Sequence, residues 1–159
     1  MKILLNFCLL ILTTVAYSQN FAKSDIIGDW KVYKSKLFLN ERLVKTSYAK
    51  ENSEIVINGQ NLGPYNEKLN LMVRAMTESK ITFEDNNYCS WNIKLADLGF
   101  ENKYYEVSNL NEVNIRSLEV DNKNKKIIQF KIEQIDDNNG VLTSNDSGFG
   151  FKLYIARDK

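Results

Sequence analysis

Apolar and polar residues alternate along most of the chain from Ile27 onward, in short runs rich in Val, Ile, Tyr and Phe. Segments 89–95 (CSWNIKL) and 127–134 (IIQFKIEQ) place apolar side chains on one side and mostly polar side chains on the other. A period of two is the spacing of a β-strand with one buried face and one face in water. The chain is therefore predicted to consist mainly of antiparallel strands.

The segments between these runs are rich in Asn, Asp, Gly and Lys. Three of them, 84–88 (EDNNY), 120–126 (VDNKNKK) and 136–140 (DDNNG), contain residues that readily adopt positive φ and are predicted to be hairpin loops. The segment DDNNG does not fit a calcium loop, because the required ligands at alternate positions and a distant Glu do not line up.

Strands of this kind have to bury their apolar faces against one another. Closure into a barrel achieves this and also removes exposed edges, so the predicted fold is mostly β, an antiparallel up-and-down barrel of about eight to ten strands. The inward parity defines a set of residues that would line or fill the interior: Trp91, Ile93, Tyr105, Val107, Ile115, Phe130, Ile132, Phe151 and Leu153.

One segment, 66–79 (NEKLNLMVRAMTES), fits two patterns. Its apolar residues at 69, 72, 73 and 76 have helical spacing, with Asn66 as a cap, whereas those at 69, 71, 73 and 75 alternate as in a strand. We favour a short helix over residues 66–78 that packs on the barrel as a lid. Its functional alternative is a mobile portal that controls access of a ligand.

The first 18 residues have the features of a secretory signal peptide and are expected to form an N-terminal signal helix. Lys2 precedes a mostly apolar stretch at 3–15, and Ala16 and Ser18 are the small residues that signal peptidase recognises. The apolar stretch is shorter than the roughly 20 residues that cross a bilayer. We expect cleavage after Ser18, a mature chain that begins at Gln19, no stable membrane anchor, and a periplasmic or secreted protein whose residues 19–159 form a single domain.

Charge and residue usage exclude several function classes. The chain has 21 Lys and Arg against 20 Asp and Glu, and loss of Lys2 would balance them, which argues against a nucleic-acid or membrane-surface protein. Histidine is absent, so the usual general base, the usual partner of a Ser or Cys nucleophile and the commonest zinc ligand are missing. We expect no enzyme, no cofactor and no metal site. Cys89 is expected to be a buried, unreactive thiol that forms no disulfide.

The order of five segments resembles the bacterial lipocalin-like proteins of the calycin superfamily. The segments are 26–34 (IIGDWKVYK), 80–91 (KITFEDNNYCSW), 103–115 (KYYEVSNLNEVNI), 127–144 (IIQFKIEQIDDNNGVLTS) and 151–157 (FKLYIAR). In that superfamily a Gly-x-Trp opens the first strand and closes the barrel base, and a basic residue from near the chain end lies across the tryptophan. Gly28, Trp30 and Arg157 match these positions, so the resemblance implies a structural role for them. The Thr-Asp-Tyr loop and the C-terminal helix of larger eukaryotic lipocalins are missing, so the ligands of those proteins are not carried over.

The resemblance implies an exported carrier or sensor that holds a small hydrophobic molecule inside the barrel. The inward residues would either line its cavity or pack as an ordinary core, and the alternative function is a protein interaction module, such as an inhibitor or assembly factor, on a filled barrel. In a cavity, the Tyr105 hydroxyl and the Trp91 indole nitrogen would need a partner in a ligand or in water. With no basic residue assigned to the interior, an uncharged head group is expected unless Arg74 or Arg116 turns inward.

Overall fold

The computed structural model describes residues 21–52, 54–95, 99–108, 111–116, 126–146 and 148–158. The predicted signal peptide at 1–18 lies outside these ranges. Within them, no helix is both long and apolar enough to cross a bilayer.

The described residues form ten strands and two short α-helices. In chain order these are α1 (Lys23–Ile26), β1 (Gly28–Leu39), β2 (Arg42–Ala49), β3 (Ile55–Gly59), α2 (Asn66–Thr77), β4 (Lys80–Phe83), β5 (Tyr88–Asn92), β6 (Phe100–Val107), β7 (Glu112–Arg116), β8 (Lys126–Ile135), β9 (Asn139–Asp146) and β10 (Phe149–Arg157). A 3-10 turn at Gly63–Tyr65 leads into α2. The prediction of a mostly β protein with a short helix near 66–78 is confirmed.

Eight of the strands close into an antiparallel barrel. From β4 to β10 each strand pairs with the next, β10 pairs with β1, and β1 pairs with β4 to complete the ring. The predicted closed antiparallel barrel is confirmed, and its strands from β4 onward follow the predicted up-and-down order.

The β2–β3 hairpin lies outside this ring. Residues 28–31 of β1 pair with β4, whereas residues 34–39 pair with β2. Strands β4 and β2 therefore pair with successive parts of the same edge of β1. Helix α2 follows the hairpin and packs on β1, β2 and β3 before the chain returns to β4. The apolar face of α2 therefore covers the part of the barrel formed by β1 and the β2–β3 hairpin.

Two bulges change which residues of β1 and β2 face inward. The β1–β10 register shifts between Val32 and Lys34, so buried positions pass from Trp30 and Val32 to Ser35 and Leu37. In β2 the pairing with β1 skips Val44, and both Val44 and its neighbour Lys45 are buried. Simple alternation fails at these two points because each bulge inserts one unpaired residue.

The base of the barrel is closed by Trp30 and Arg157. Trp30 is wholly buried and its indole Nε1 donates a hydrogen bond to the Ile26 carbonyl oxygen at 2.7 Å. The Arg157 Cζ lies 3.9 Å from the centre of the Trp30 ring, and the guanidinium donates to the carbonyl oxygens of Asp25 and Ile27. Gly28 has a φ of +124°, and a Cβ there would clash with Arg157 Nη1. The backbone conformation therefore requires glycine, and the missing Cβ also lets the guanidinium lie close to the chain.

Candidate functional site

Aromatic side chains from four separate strands meet in the barrel interior. The ring centres of Trp91 and Phe130 are 5.8 Å apart, those of Trp91 and Phe151 5.8 Å, and those of Phe130 and Phe151 6.0 Å. Phe100 contacts Trp91 at 6.2 Å and Phe149 contacts Phe151 at 6.4 Å. We call these five residues the aromatic cluster. The inward parity located three of its members correctly, because Trp91, Phe130 and Phe151 all belong to regular strand segments.

The other residues predicted to face inward are distributed around and below this cluster. Tyr105 packs edge-on against Phe83, with ring centres 5.2 Å apart, towards the base of the barrel. Most of the predicted residues are at least nine-tenths buried, namely Trp91, Ile93, Tyr105, Ile115, Phe130, Ile132, Phe151 and Leu153, whereas Val107 is half-buried.

The polar tips of Trp91 and Tyr105 are paired within the protein. Trp91 Nε1 donates to the Ser79 hydroxyl at 2.8 Å, and the Tyr105 hydroxyl donates to the Glu84 carbonyl oxygen at 2.8 Å. The expectation that these atoms need a ligand or water is wrong, because the segments on either side of β4 supply both acceptors. Burial raises the pKa of the Tyr105 hydroxyl to about 12.

A second set of inward residues, polar in character, lies between α2 and strands β1 and β2. The Ser35 hydroxyl is 3.0 Å from both the Val73 carbonyl oxygen and the Thr77 hydroxyl of α2. Lys45 is 4% exposed and its Nζ donates to the Asn66 side-chain oxygen at 2.5 Å. Asn66 is thus the first residue of α2 and an acceptor for Lys45, rather than the cap predicted, and the N-cap position is occupied by Tyr65.

Two atoms of this region are buried without a hydrogen-bond partner among the described residues. They are the Ser47 Oγ of β2 and the Asn70 Oδ1 of α2. Ser47 is fully buried and lies two residues beyond Lys45 on the same strand face. Leaving such groups unpaired costs about 1 to 3 kcal/mol each, so they are candidates for contact with a bound molecule. We call Lys45, Ser47, Asn66 and Asn70 the polar set.

The strand register places the polar set beside the aromatic cluster. Lys45 pairs with Leu37, and Leu37 pairs with Phe151 on the opposite side of β1. One step along, Ser47 pairs with Ser35, and Ser35 pairs with Leu153. Because paired residues in neighbouring strands point to the same face, the inner surface changes from polar on β2 to apolar on β10.

Comparison with known proteins yields no assignment by sequence. No protein-family model matches the chain, and no curated protein is similar to it in sequence. The closed eight-stranded antiparallel barrel is consistent with a calycin or lipocalin-like fold.

Sequence reasoning missed the polar set. Alternation within β2 would have grouped Lys45 with Ser47, but nothing local indicates that this face is covered by α2. Neither of the two arginines considered for the interior contributes a charge to the polar set. Arg74 is exposed on α2, and Arg116 lies on the outer side of β7 with its Nη1 3.9 Å from Glu106 Oε2.

The outer surface near the base carries a groove of about 540 Å³. Its walls come from β6, β7 and the segments at the barrel base: Lys23, Asn87, Tyr104, Tyr105, Glu106, Val107, Ser108, Asn114 and Arg116. Charges of both signs line it, so it suits a polar or peptide-like group better than an apolar one.

Two further features bear on chemistry. Cys89 is buried, its Sγ lies 3.4 Å from the Lys103 carbonyl oxygen, and burial raises its pKa to about 12, which suppresses the reactive thiolate. Among the residues that the structure describes, no three potential metal ligands of the types His, Cys, Asp and Glu come together.

Proposed function

We propose that the protein is an exported, lipocalin-like binding protein that holds a small, mainly apolar molecule between the aromatic cluster and α2. The observation that supports this proposal is that buried polar atoms without a partner among the described residues lie on β2 and α2, two strands away from an aromatic interior. Small-molecule sites in proteins are built this way, with apolar walls and a few placed polar groups that orient the ligand. The proposal assigns no catalytic role and no cofactor to the barrel.

A ligand would reach the interior where helix α2 moves away from the barrel. Its backbone takes no part in the sheet, and among its hydrogen bonds to the barrel are those of Val73 and Asn66 with Ser35 and Lys45. A shift of α2 therefore breaks no strand pairing of the closed ring. Leu71, 57% exposed on α2, shows that the helix also presents an apolar side chain to solvent.

Fluorescence titration of Trp91 tests ligand binding directly. We expect a saturable change with at least one member of a panel of fatty acids, fatty alcohols and isoprenoids, because the Trp91 ring contacts three other rings of the aromatic cluster. Trp91→Phe should remove the signal while Trp30, buried at the base, remains as an internal reference. A flat response across the whole panel, confirmed by calorimetry, would refute the carrier proposal.

The export part of the proposal depends on residues 1–18. Expression in a bacterial host with an intact leader should yield a secreted or periplasmic protein that begins at Gln19, which N-terminal sequencing and intact mass would establish. An exported protein that retains Lys2 would contradict cleavage at Ser18.

A protein interaction module is the second candidate. The close edge-on packing of Trp91 against Phe130 favours a filled interior, and the groove beside Tyr104 and Arg116 offers an outer binding surface. This candidate predicts no response in the Trp91 titration, together with loss of a specific protein partner on Arg116→Glu and retention of that partner on Lys31→Glu, on the exposed outer side of β1.

A further inference from the structure

The charge of the buried Lys45 side chain determines which chemical group suits this position. Its side chain is 4% exposed, and its hydrogen-bond partner is the neutral side-chain oxygen of Asn66. No carboxylate of the described residues forms an ion pair with it; the ion pairs there involve other lysines and Arg116. A buried ammonium is stable when an anion accompanies it, so this position favours a negatively charged group.

Ser47 follows Lys45 along β2, and Asn70 follows Asn66 along α2. Two contacts show that α2 runs in the same direction as β2: Asn66 meets Lys45, and Val73 meets Ser35, the strand partner of Ser47. Asn70 is one helical turn, about 6 Å, beyond Asn66, and Ser47 is two strand residues, about 7 Å, beyond Lys45. The Ser47 Oγ and Asn70 Oδ1, both buried and without a hydrogen-bond partner among the described residues, therefore lie at similar heights along β2 and α2.

These groups differ in what they require of a ligand. Lys45 and the Ser47 hydroxyl are donors, which suits the oxygens of an anion, whereas Asn70 Oδ1 is an acceptor and suits a hydroxyl or an amide N–H. The distance across three neighbouring strands from Lys45 to Phe151 is about 10 Å between Cα atoms, which a short alkyl segment spans.

We propose that Lys45 and Ser47 bind the carboxylate of an amphiphilic acid whose hydrocarbon chain lies on the aromatic cluster, and that Asn70 selects acids with a hydrogen-bond donor close to the carboxylate. This inference rests on the proposed carrier function and specifies its head group. It replaces the uncharged head group expected from sequence, because the second bulge and α2 bury a lysine that had not been assigned to the interior.

Three probes of equal chain length test the head group: dodecanoic acid, 3-hydroxydodecanoic acid and dodecan-1-ol, with dissociation constants measured by calorimetry. On the wild-type protein we expect the acids to bind about tenfold more tightly than the alcohol, since a hydrogen bond to a charged group is worth more than a neutral one. Lys45→Met should abolish this preference and leave the alcohol unchanged, whereas the control Lys31→Met, at an exposed position of β1, should alter none of the three. Asn70→Ala should remove any preference for the hydroxy acid over the plain acid.

Stability without ligand separates this role from a structural one. If Lys45 awaits an anion, Lys45→Met should raise the melting temperature of the free protein while it weakens acid binding, and Lys45→Gln, which retains a donor to Asn66 without the charge, serves as a second variant. Lower stability in both variants, with the three affinities reduced equally, would assign Lys45 to the scaffold and overturn the proposal.

The probes also keep the two proposals distinguishable. Equal binding of acid and alcohol to the wild-type protein overturns the head-group assignment and leaves the carrier function standing. Binding of none of the three, together with no response in the wider panel, refutes the carrier function itself. Ordered water alone at Ser47 and Asn70 in a crystal grown with the acid would likewise overturn the site.

Discussion

The contact between Trp30 and Arg157 gives the sharpest prediction about stability. Trp30→Ala removes a wholly buried ring and its hydrogen bond to the Ile26 carbonyl oxygen, so we expect a loss of about 3 to 5 kcal/mol in the free energy of unfolding. Arg157→Ala removes a guanidinium 3.9 Å from the ring centre and its hydrogen bonds to the Asp25 and Ile27 carbonyl oxygens. Because Arg157 is partly exposed, we expect a smaller loss, about 1 to 2 kcal/mol.

The two effects should not add. The stacking energy is lost once in either single variant, so the double variant should be more stable than the sum predicts by about 1 kcal/mol. Urea unfolding followed by far-UV circular dichroism measures all four proteins. Trp30→Phe and Arg157→Lys are the matched controls, because the first keeps a ring without the N–H and the second keeps the charge without the planar group.

Additivity within about 0.3 kcal/mol would refute this account of the base. It would mean that Trp30 acts as ordinary core and that Arg157 is held by the carbonyl oxygens alone. Coupling that survives in the Arg157→Lys protein would attribute the effect to charge and not to stacking of the planar guanidinium.

Three further changes test other parts of the fold. Gly28→Ala should destabilise by about 1 to 3 kcal/mol through its positive φ and its clash with Arg157 Nη1, and part of that loss should vanish in the Arg157→Ala protein; complete recovery would argue against backbone strain. Ser35→Ala should cost about 1 to 2 kcal/mol in urea by freeing α2 from β1, with exposed Ser24→Ala as a neutral control. Cys89 should resist iodoacetamide at pH 8 until the protein unfolds. Burial raises the pKa of Cys89 from 9.0 to about 12, so between these values the thiol ionises in the unfolded chain but not in the folded protein. The free energy of unfolding should therefore keep the full contribution of Cys89 below pH 9 and decrease as the pH rises towards 12. Cys89→Ala should lessen that decrease.

Much of the wall of the barrel follows from the sequence alone. The period of two in β5, in β10 and in β8 as far as Ile132 predicted which side chains face inward, because residues within a regular strand segment alternate between two faces whatever their partners are. The apolar spacing at 66–79 indicated a helix for a similar reason, since the pattern lies within one element and the observed helix spans Asn66–Thr77.

Only the tertiary structure decided what lies against that wall. The bulges after Val32 and at Val44 shift the parity of β1 and β2, and a bulge is defined by the pairing of two strands and not by either sequence. The position of α2 over Ser35 and Lys45, and the acceptors that Ser79 and Glu84 supply to Trp91 and Tyr105, depend on contacts between segments far apart in the chain. Local periodicity says which face of an element is buried, whereas the identity of the covering element follows from barrel closure and from the β2–β3 hairpin leaving the ring.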